Sequence, residues 1–255
     1  MGVRHSHPLH VHGHSVVHHL APHVKIVATV VFAVAVAVAP PTAPWAFVGL
    51  AVLMGVALVA SRLPPAFVAT RVLVVVPFVV FGLLVPFVSS GHDMAWGPVT
   101  WSSVGARTGL AIAVRSVLGV TASIVLAGTT ELPRLLGGLD RLRVPPTITA
   151  IASFMLRYLE VVAAEFGRMR AAMTARGHDP RWLWQVRPLA TASGALFVRS
   201  YERGERVHLA MQSRGFTGTM PRLHDDAATP GMWALAGAWA AAAVAVVVVA
   251  LVVAA

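Results

Sequence analysis

Five charge-poor apolar runs, each close to the length of a bilayer-crossing helix and each closed by proline, arginine or a polar turn, leave this chain few ways to fold. They extend from about Val24 to Ala39, Trp45 to Ala60, Val72 to Val88, Thr108 to Ala127 and Met232 to Val253. A hydrocarbon core ~30 Å thick needs about 20 helical residues, and its dryness obliges every backbone N–H and C=O to pair within the segment. Helices meet that demand; an open sheet does not. With 57% hydrophobic and 12% charged residues and a mean hydropathy of +0.74, the composition lies outside the range of soluble domains. The expectation is an all-α integral membrane protein with about five transmembrane helices and, in the charged remainder, two long helices outside the bilayer.

Within the first run, Ala37-Val38-Ala39 looks like a small-residue cleavage site. The polar stretch before it and the spans after it favour retention. The third run holds Pro77 and Pro86, which are expected to bend it.

The net charge of +10 is not spread evenly. Fourteen arginines and nine of the ten acidic residues fall between Glu131 and Asp226, a polar insertion in a membrane protein. Basic residues beside apolar runs, without interleaved aromatics, read as an orientation signal and not as a nucleic-acid surface. Placing 131–226 in the cytoplasm puts Arg62 and Arg71 inside as well, along with the amino terminus. The nearly uncharged turn at Pro40 to Pro44 then lies outside, as does Ser89 to Ala106, where Trp96 and Trp101 flank the membrane and Asp93 is the sole acid. The predicted organisation is a His-rich cytoplasmic tail (1–23), a four-span membrane domain (24–127), a cytoplasmic helical region (131–226) and a C-terminal span (231–254), in the cell membrane.

The tail carries His5, His7, His10, His12, His14, His18, His19 and His23. Neutral imidazoles suit divalent cobalt, nickel or zinc; alternatively they form an interfacial tail that touches no ion. No cysteine exists, which removes disulfides and thiolate metal sites. Arg115 lies in the fourth run, where insertion costs about 2.5 to 3.5 kcal/mol, so it must face protein. It either anchors a neighbouring subunit or is structural, bonding to backbone carbonyls or snorkelling toward the interface. Gly105, Gly109, Ala113 and Gly119 on the same run offer close approach to a partner helix.

Inside the polar region, Glu131 to Arg143 is short and amphipathic and is broken by Val144-Pro145-Pro146. Thr147 to Arg176 contains no breaker; as one helix it would reach about 45 Å. Its charged second half suits a helix that skirts the membrane and enters the cytoplasm. A turn follows with Pro180, Trp182 and Trp184, then a second helix from about Pro188 to Arg214, in which Glu202 and Arg206 stand four apart. A polar stretch from Pro221 to Pro230 holds His224, Asp225 and Asp226.

These two helices end alike. Ala172-Met173-Thr174-Ala175-Arg176-Gly177 returns as Ala210-Met211-Gln212-Ser213-Arg214-Gly215 at an offset of 214 − 176 = 38, and Arg168 matches Arg206 at the same offset. Glycine takes the left-handed conformation that closes a helix, and an arginine in the last turn suits the negative end of the macrodipole. Each copy therefore displays one guanidinium, whose planar fork fits a carboxylate on a partner protein.

No metalloprotease, nucleophile-elbow or phosphate-binding-loop motif is present, so an enzymatic reading lacks a constellation. Leu142-Arg143-Val144-Pro145, Phe154-Met155-Leu156-Arg157-Tyr158-Leu159, Arg168-Met169-Arg170 and Leu196 to Phe216, with the paired Arg-Gly ends, resemble the transmembrane T component of energy-coupling factor (ECF) transporters, and within it the CbiQ-type cobalt and nickel branch. The resemblance implies that the two long helices are cytoplasmic coupling helices, in which Ala175, Arg176, Gly177, Ser213, Arg214 and Gly215 engage two ABC-type ATPase subunits. It implies a substrate-specific membrane subunit (CbiM-like), a small accessory membrane subunit, ATP bound by the partners, and no cofactor, metal or catalytic residue in this chain. A self-contained divalent-metal permease using the His-rich start is the competing reading.

Overall fold

The computed structural model describes residues 13, 15–89, 94–96, 99–178, 187–216, 218 and 227–254, with the backbone alone at 94–96 and 99–101. The chain divides into two compact units, Met1–Gly138 with His224–Ala255, and Leu139–Leu223.

Proline opens most of the first unit's helices. The helices α2 (Pro22–Val38), α3 (Pro44–Ser61) and α4 (Pro65–Val72) each carry one in the first turn, where its missing N–H would have had no partner. A single-turn α1 (Val16–His19) precedes them. A 3-10 turn at Leu73–Val75 joins α4 to α5 (Val76–Val88), because Pro77 disturbs the helical ladder one turn back. The third span thus begins at Pro65, and not near Val72, and Arg71 is helical: its guanidinium lies 3.5 Å from the centre of the Phe67 ring. A short antiparallel hairpin, β1 (Met94–Trp96) with β2 (Val99–Trp101), interrupts the helical fold before α6 (Ser103–Thr129). Ser102 caps α6 by accepting from the Gly105 N–H at 3.2 Å. The amphipathic α7 (Leu132–Arg141) and the apolar α10 (Pro230–Ala254) follow.

The core forms where α2, α3, α6 and α10 meet, around the fully buried Phe32 and Leu50. Phe32 stacks on Trp239 at 4.8 Å, and the Trp239 indole N–H donates to the Leu53 carbonyl at 3.0 Å. The buried face of α10 is made of Ala236, Ala240, Ala243, Val247 and Ala250, small enough to let its backbone come close. Outward faces remain apolar: Val48, Val52 and Val56 on α3 are all exposed, as a lipid-facing surface requires.

The closest packing joins α5 to α6. A Cβ on Gly82 would stand 2.6 Å from the Gly109 carbonyl oxygen, and one on Gly105 would stand 2.9 Å from Pro86 Cα. Gly105, Gly109 and Ala113 are therefore used against the chain's own α5 and not against a partner helix. Gly119 keeps open space beside it.

Two cations, one buried and one half-buried, bind helix ends. Lys25, 5% exposed, donates from Nζ to the Thr129 carbonyl at 3.1 Å and to Thr130 Oγ1 at 2.9 Å, holding α2 to the C-terminus of α6. Arg115 donates from Nη2 to the Ala39 carbonyl and lies 5.8 Å from the centre of the Phe47 ring. Of the expectations for Arg115, bonding to a backbone carbonyl is the one realised.

Among the described residues, five helical stretches are long and apolar enough to cross a membrane: Pro44–Ser61, Pro65–Val88, Ser103–Thr129, Pro146–Ala175 and Pro230–Ala254. The number matches the expectation, but the membership differs. At 17 residues α2 is the shorter apolar helix, whereas Pro146–Ala175, expected to skirt the membrane, qualifies by length and composition with the lowest mean hydropathy of the five, 1.4.

The second unit is built on two long helices, α8 (Pro146–Ala175) and α9 (Arg187–Gln212).

Candidate functional site

A helix must dispose of its last carbonyls, and α8 and α9 do so identically. Gly177, at φ +80°, donates its N–H to the Thr174 carbonyl at 3.0 Å, and the His178 N–H donates to the Met173 carbonyl at 3.1 Å. In α9, Gly215 at φ +82° donates to the Gln212 carbonyl at 3.0 Å, and Phe216 donates to the Met211 carbonyl at 3.0 Å. Both are Schellman closures, with Arg176 and Arg214 as the last residues before the left-handed glycine. A Cβ on either glycine would meet nothing within 4 Å, so glycine is needed for its backbone angle and not for space.

Equivalence continues down the rods. From residue 190 onward, the half-buried positions of α9 are Ala192, Leu196, Ser200, Arg203, Val207 and Met211. Shifted by 38, each falls on a half-buried position of α8: Phe154, Tyr158, Val162, Glu165, Met169 and Met173. Over this stretch the two helices share an inward stripe at the same distance from their ends; α8 adds the half-buried Ala152, Ser153, Leu156 and Phe166, and Leu189 of α9 falls on the exposed Ile151. At the middle of that stripe the helices meet. Glu165 accepts from Arg203 Nη2 at 3.0 Å and from Arg199 Nη1 at 3.5 Å, with its side chain only 12% exposed. Beside this ion pair a cleft of about 240 Å³ is lined by Phe154, Met155, Tyr158 and Val162 from α8 and by Ser200, Arg203 and Gly204 from α9. The pair expected from spacing alone, Glu202 with Arg206, does form but at 3.9 Å and well exposed, where such pairs contribute little.

Ala175, Arg176, Gly177, Ser213, Arg214 and Gly215 are all exposed. Ser213 turns its hydroxyl inward, donating to the Ala210 carbonyl at 3.0 Å. Among the described residues neither Arg176 nor Arg214 has a carboxylate partner, and each is exposed on a glycine-closed helix end. The arrangement can grip an acidic surface at two points; it offers no nucleophile or paired acid and base.

Of the histidines, His18 pairs through Nδ1 with Ser15 Oγ at 2.7 Å, and His23 is buried against Trp233 with ring centres 5.7 Å apart. Among the described residues no group of three or more His, Asp or Glu could hold a metal ion. His5, His7, His10, His12, His14, Asp93, Pro180, Trp182, Trp184, Pro221, His224, Asp225 and Asp226 lie outside the described residues, as do the side chains of Trp96 and Trp101.

The clasp of Glu165 by Arg203 is the feature that reading the sequence missed. Its signal was present, since 165 and 203 differ by the repeat offset and bear opposite charges.

Comparison with known proteins settles the family. The family model CbiQ, described as cobalt transport protein, matches residues 13–224. The chain belongs to the CbiQ family. Similar relatives include the energy-coupling factor transporter transmembrane protein EcfT of Heliobacterium modesticaldum, 27% identical over 80% of this chain and 81% of its own length. The cobalt transport protein CbiQ of Rhodobacter capsulatus is 28% identical over 73% of this chain and 75% of its own. EcfT of Brevibacillus brevis is 28% identical over 84% and 85%. As a CbiQ-family member with long apolar helices, the chain is a multi-pass cell-membrane component of a transport system and not an enzyme.

Proposed function

We propose that this CbiQ-family chain is the transmembrane coupling subunit of an ECF-type importer. It transmits ATP-driven motion of two ABC-type ATPase subunits to a separate substrate-binding membrane subunit of CbiM type, with a small accessory membrane subunit alongside. The cargo is a cobalt or nickel ion. The family description and the relatives' names support a cobalt transporter of this architecture. The single observation that carries the mechanism is the matched pair of closed helix ends, each presenting an exposed arginine. Two such ends suit two acidic grooves on a motor built in two halves. Because the sequence holds no phosphate-binding loop, the energy must come from outside it.

In this reading Arg176 and Arg214 each meet a carboxylate of one ATPase, and Ala175 and Ser213 are small enough to admit the approach. Gly177 and Gly215 hold the closure. By the positive-inside rule we place the arginine-rich region 131–226 and the amino terminus on the cytoplasmic side, with the apolar start of α8 lying along the membrane and its charged second half reaching into the cytoplasm. Closure of the ATPases on ATP moves the two ends relative to each other, and α8 and α9 carry that motion to the membrane. Such transmission requires that ATP favour one of two packed states. Breaking one partner of a buried charge pair costs about 2–5 kcal/mol, so reversing both arginines to glutamate is expected to lower ATPase co-purification at least about 30-fold and to abolish ⁵⁷Co²⁺ uptake. Retained assembly and uptake in R176E/R214E would remove the proposal.

A further inference from the structure

Two helices that carry equivalent ends can deliver equivalent motions only if something fixes where they cross. The apolar part of the α8–α9 seam does not do this alone. Phe154, Met155, Tyr158 and Val162 face Ser200 and Gly204 across an open cleft of about 240 Å³, too loosely filled to specify one register. The specific contact at the crossing is ionic, and it joins equivalent positions. Glu165 and Arg203 are related by the same 38-residue offset as Arg176 and Arg214, so each stands eleven residues from its own terminal arginine (176 − 165 and 214 − 203). At 1.5 Å per residue each arm is about 16 Å long.

We infer that Glu165 is a positioning residue: clasped by Arg203 and Arg199, it pins the crossing of α8 and α9 as a pivot, so that without the ATPases the two arginine-bearing ends rest at one separation and a motion imposed on them turns about that point. The clasp has two prongs. Oε2 takes Arg203 and Oε1 takes Arg199, one helical turn earlier on α9. Sliding α9 in either direction, or rolling it, breaks one prong. Glu165 is shielded at 12% exposed while Arg203 and Arg199 keep 35% and 61% of their side chains in solvent, so the clasp orients α9 on α8 more than it adds to overall stability. The inference rests on the proposed coupling role for its biological meaning, but its physical content stands apart from it.

The chain has no cysteine, which makes the test direct. Thr174→Cys and Gln212→Cys place spin labels at exposed, equivalent positions just inside the two ends. In the full-length chain in lipid nanodiscs, double electron–electron resonance is expected to give a single narrow distance distribution. E165Q and R203Q, which keep side-chain size and remove the charge, are expected to broaden it at least about twofold, whereas E202Q leaves it unchanged. An unbroadened distribution in E165Q or R203Q, or equal broadening in E202Q, would overturn the inference. No ATPase is present in this experiment, so broadening in E165Q beside intact assembly in R176E/R214E would retain the pin and discard the coupling reading.

Discussion

Glu165 on α8 and Arg203 on α9, 3.0 Å apart, hold the same place in their respective helices, each eleven residues short of the arginine that ends it (176 − 165 and 214 − 203). The repeat is therefore expressed three times over: in the glycine closures, in the half-buried stripe, and in the contact where the two rods touch. Local chemistry explains the first two. Opposite charge at one repeated position explains the third.

The closures predict an effect of backbone angle without any steric clash. Both glycines sit near φ +80° with open space around the missing Cβ. Alanine in a left-handed conformation costs about 1–2 kcal/mol, so G177A or G215A is expected to fray one end and weaken ATPase co-purification about 5- to 30-fold. Asparagine, which tolerates that conformation, should recover much of the loss. Pull-down titrations of the variants with the ATPases check the order.

In the membrane unit the prediction is steric. The Gly109 Cα faces the Gly82 carbonyl so closely that a methyl group cannot enter without moving α5 from α6. G109A is expected to destabilise by about 1–3 kcal/mol, as overpacking does, while G119A, with nothing within 4 Å, should stay within about 0.5 kcal/mol of the parent. Thermal unfolding of the detergent-solubilised protein separates them.

Lys25 offers a polar counterpart. Methionine there keeps most of the unbranched stem but strips the Thr129 carbonyl and Thr130 Oγ1 of their donor. K25M is expected to cost about 1–3 kcal/mol, again read by thermal unfolding, because a buried acceptor left unmade loses its desolvation cost in full. Charge removal without destabilisation would mean water replaces the ammonium.

What could be read from the sequence was what is local. Helical runs, the amphipathic α7 and the glycine-closed ends depend on residues within a turn or two of one another, and they lie where expected. The third span starts earlier than Val72, at Pro65, because proline is at home in a first helical turn and Arg71 is accommodated within the helix. The use of Gly105 and Gly109 was misassigned for another reason. A small-residue stripe states that some helix comes close, and only the fold shows that the helix is α5. Lys25, a cation within an apolar run, finds its acceptors 104 and 105 residues away, which only the fold brings beside it.

The central claim is that two exposed arginines on matched helix ends enter a two-part motor. Photo-crosslinking from benzoylphenylalanine placed at Thr174 or at Gln212 in the intact transporter tests it most directly, since both residues are exposed and stand two positions from those arginines. Each position is predicted to yield an adduct with an ATPase subunit. Adducts with lipid alone, or none at either position while the complex is assembled, would contradict the account.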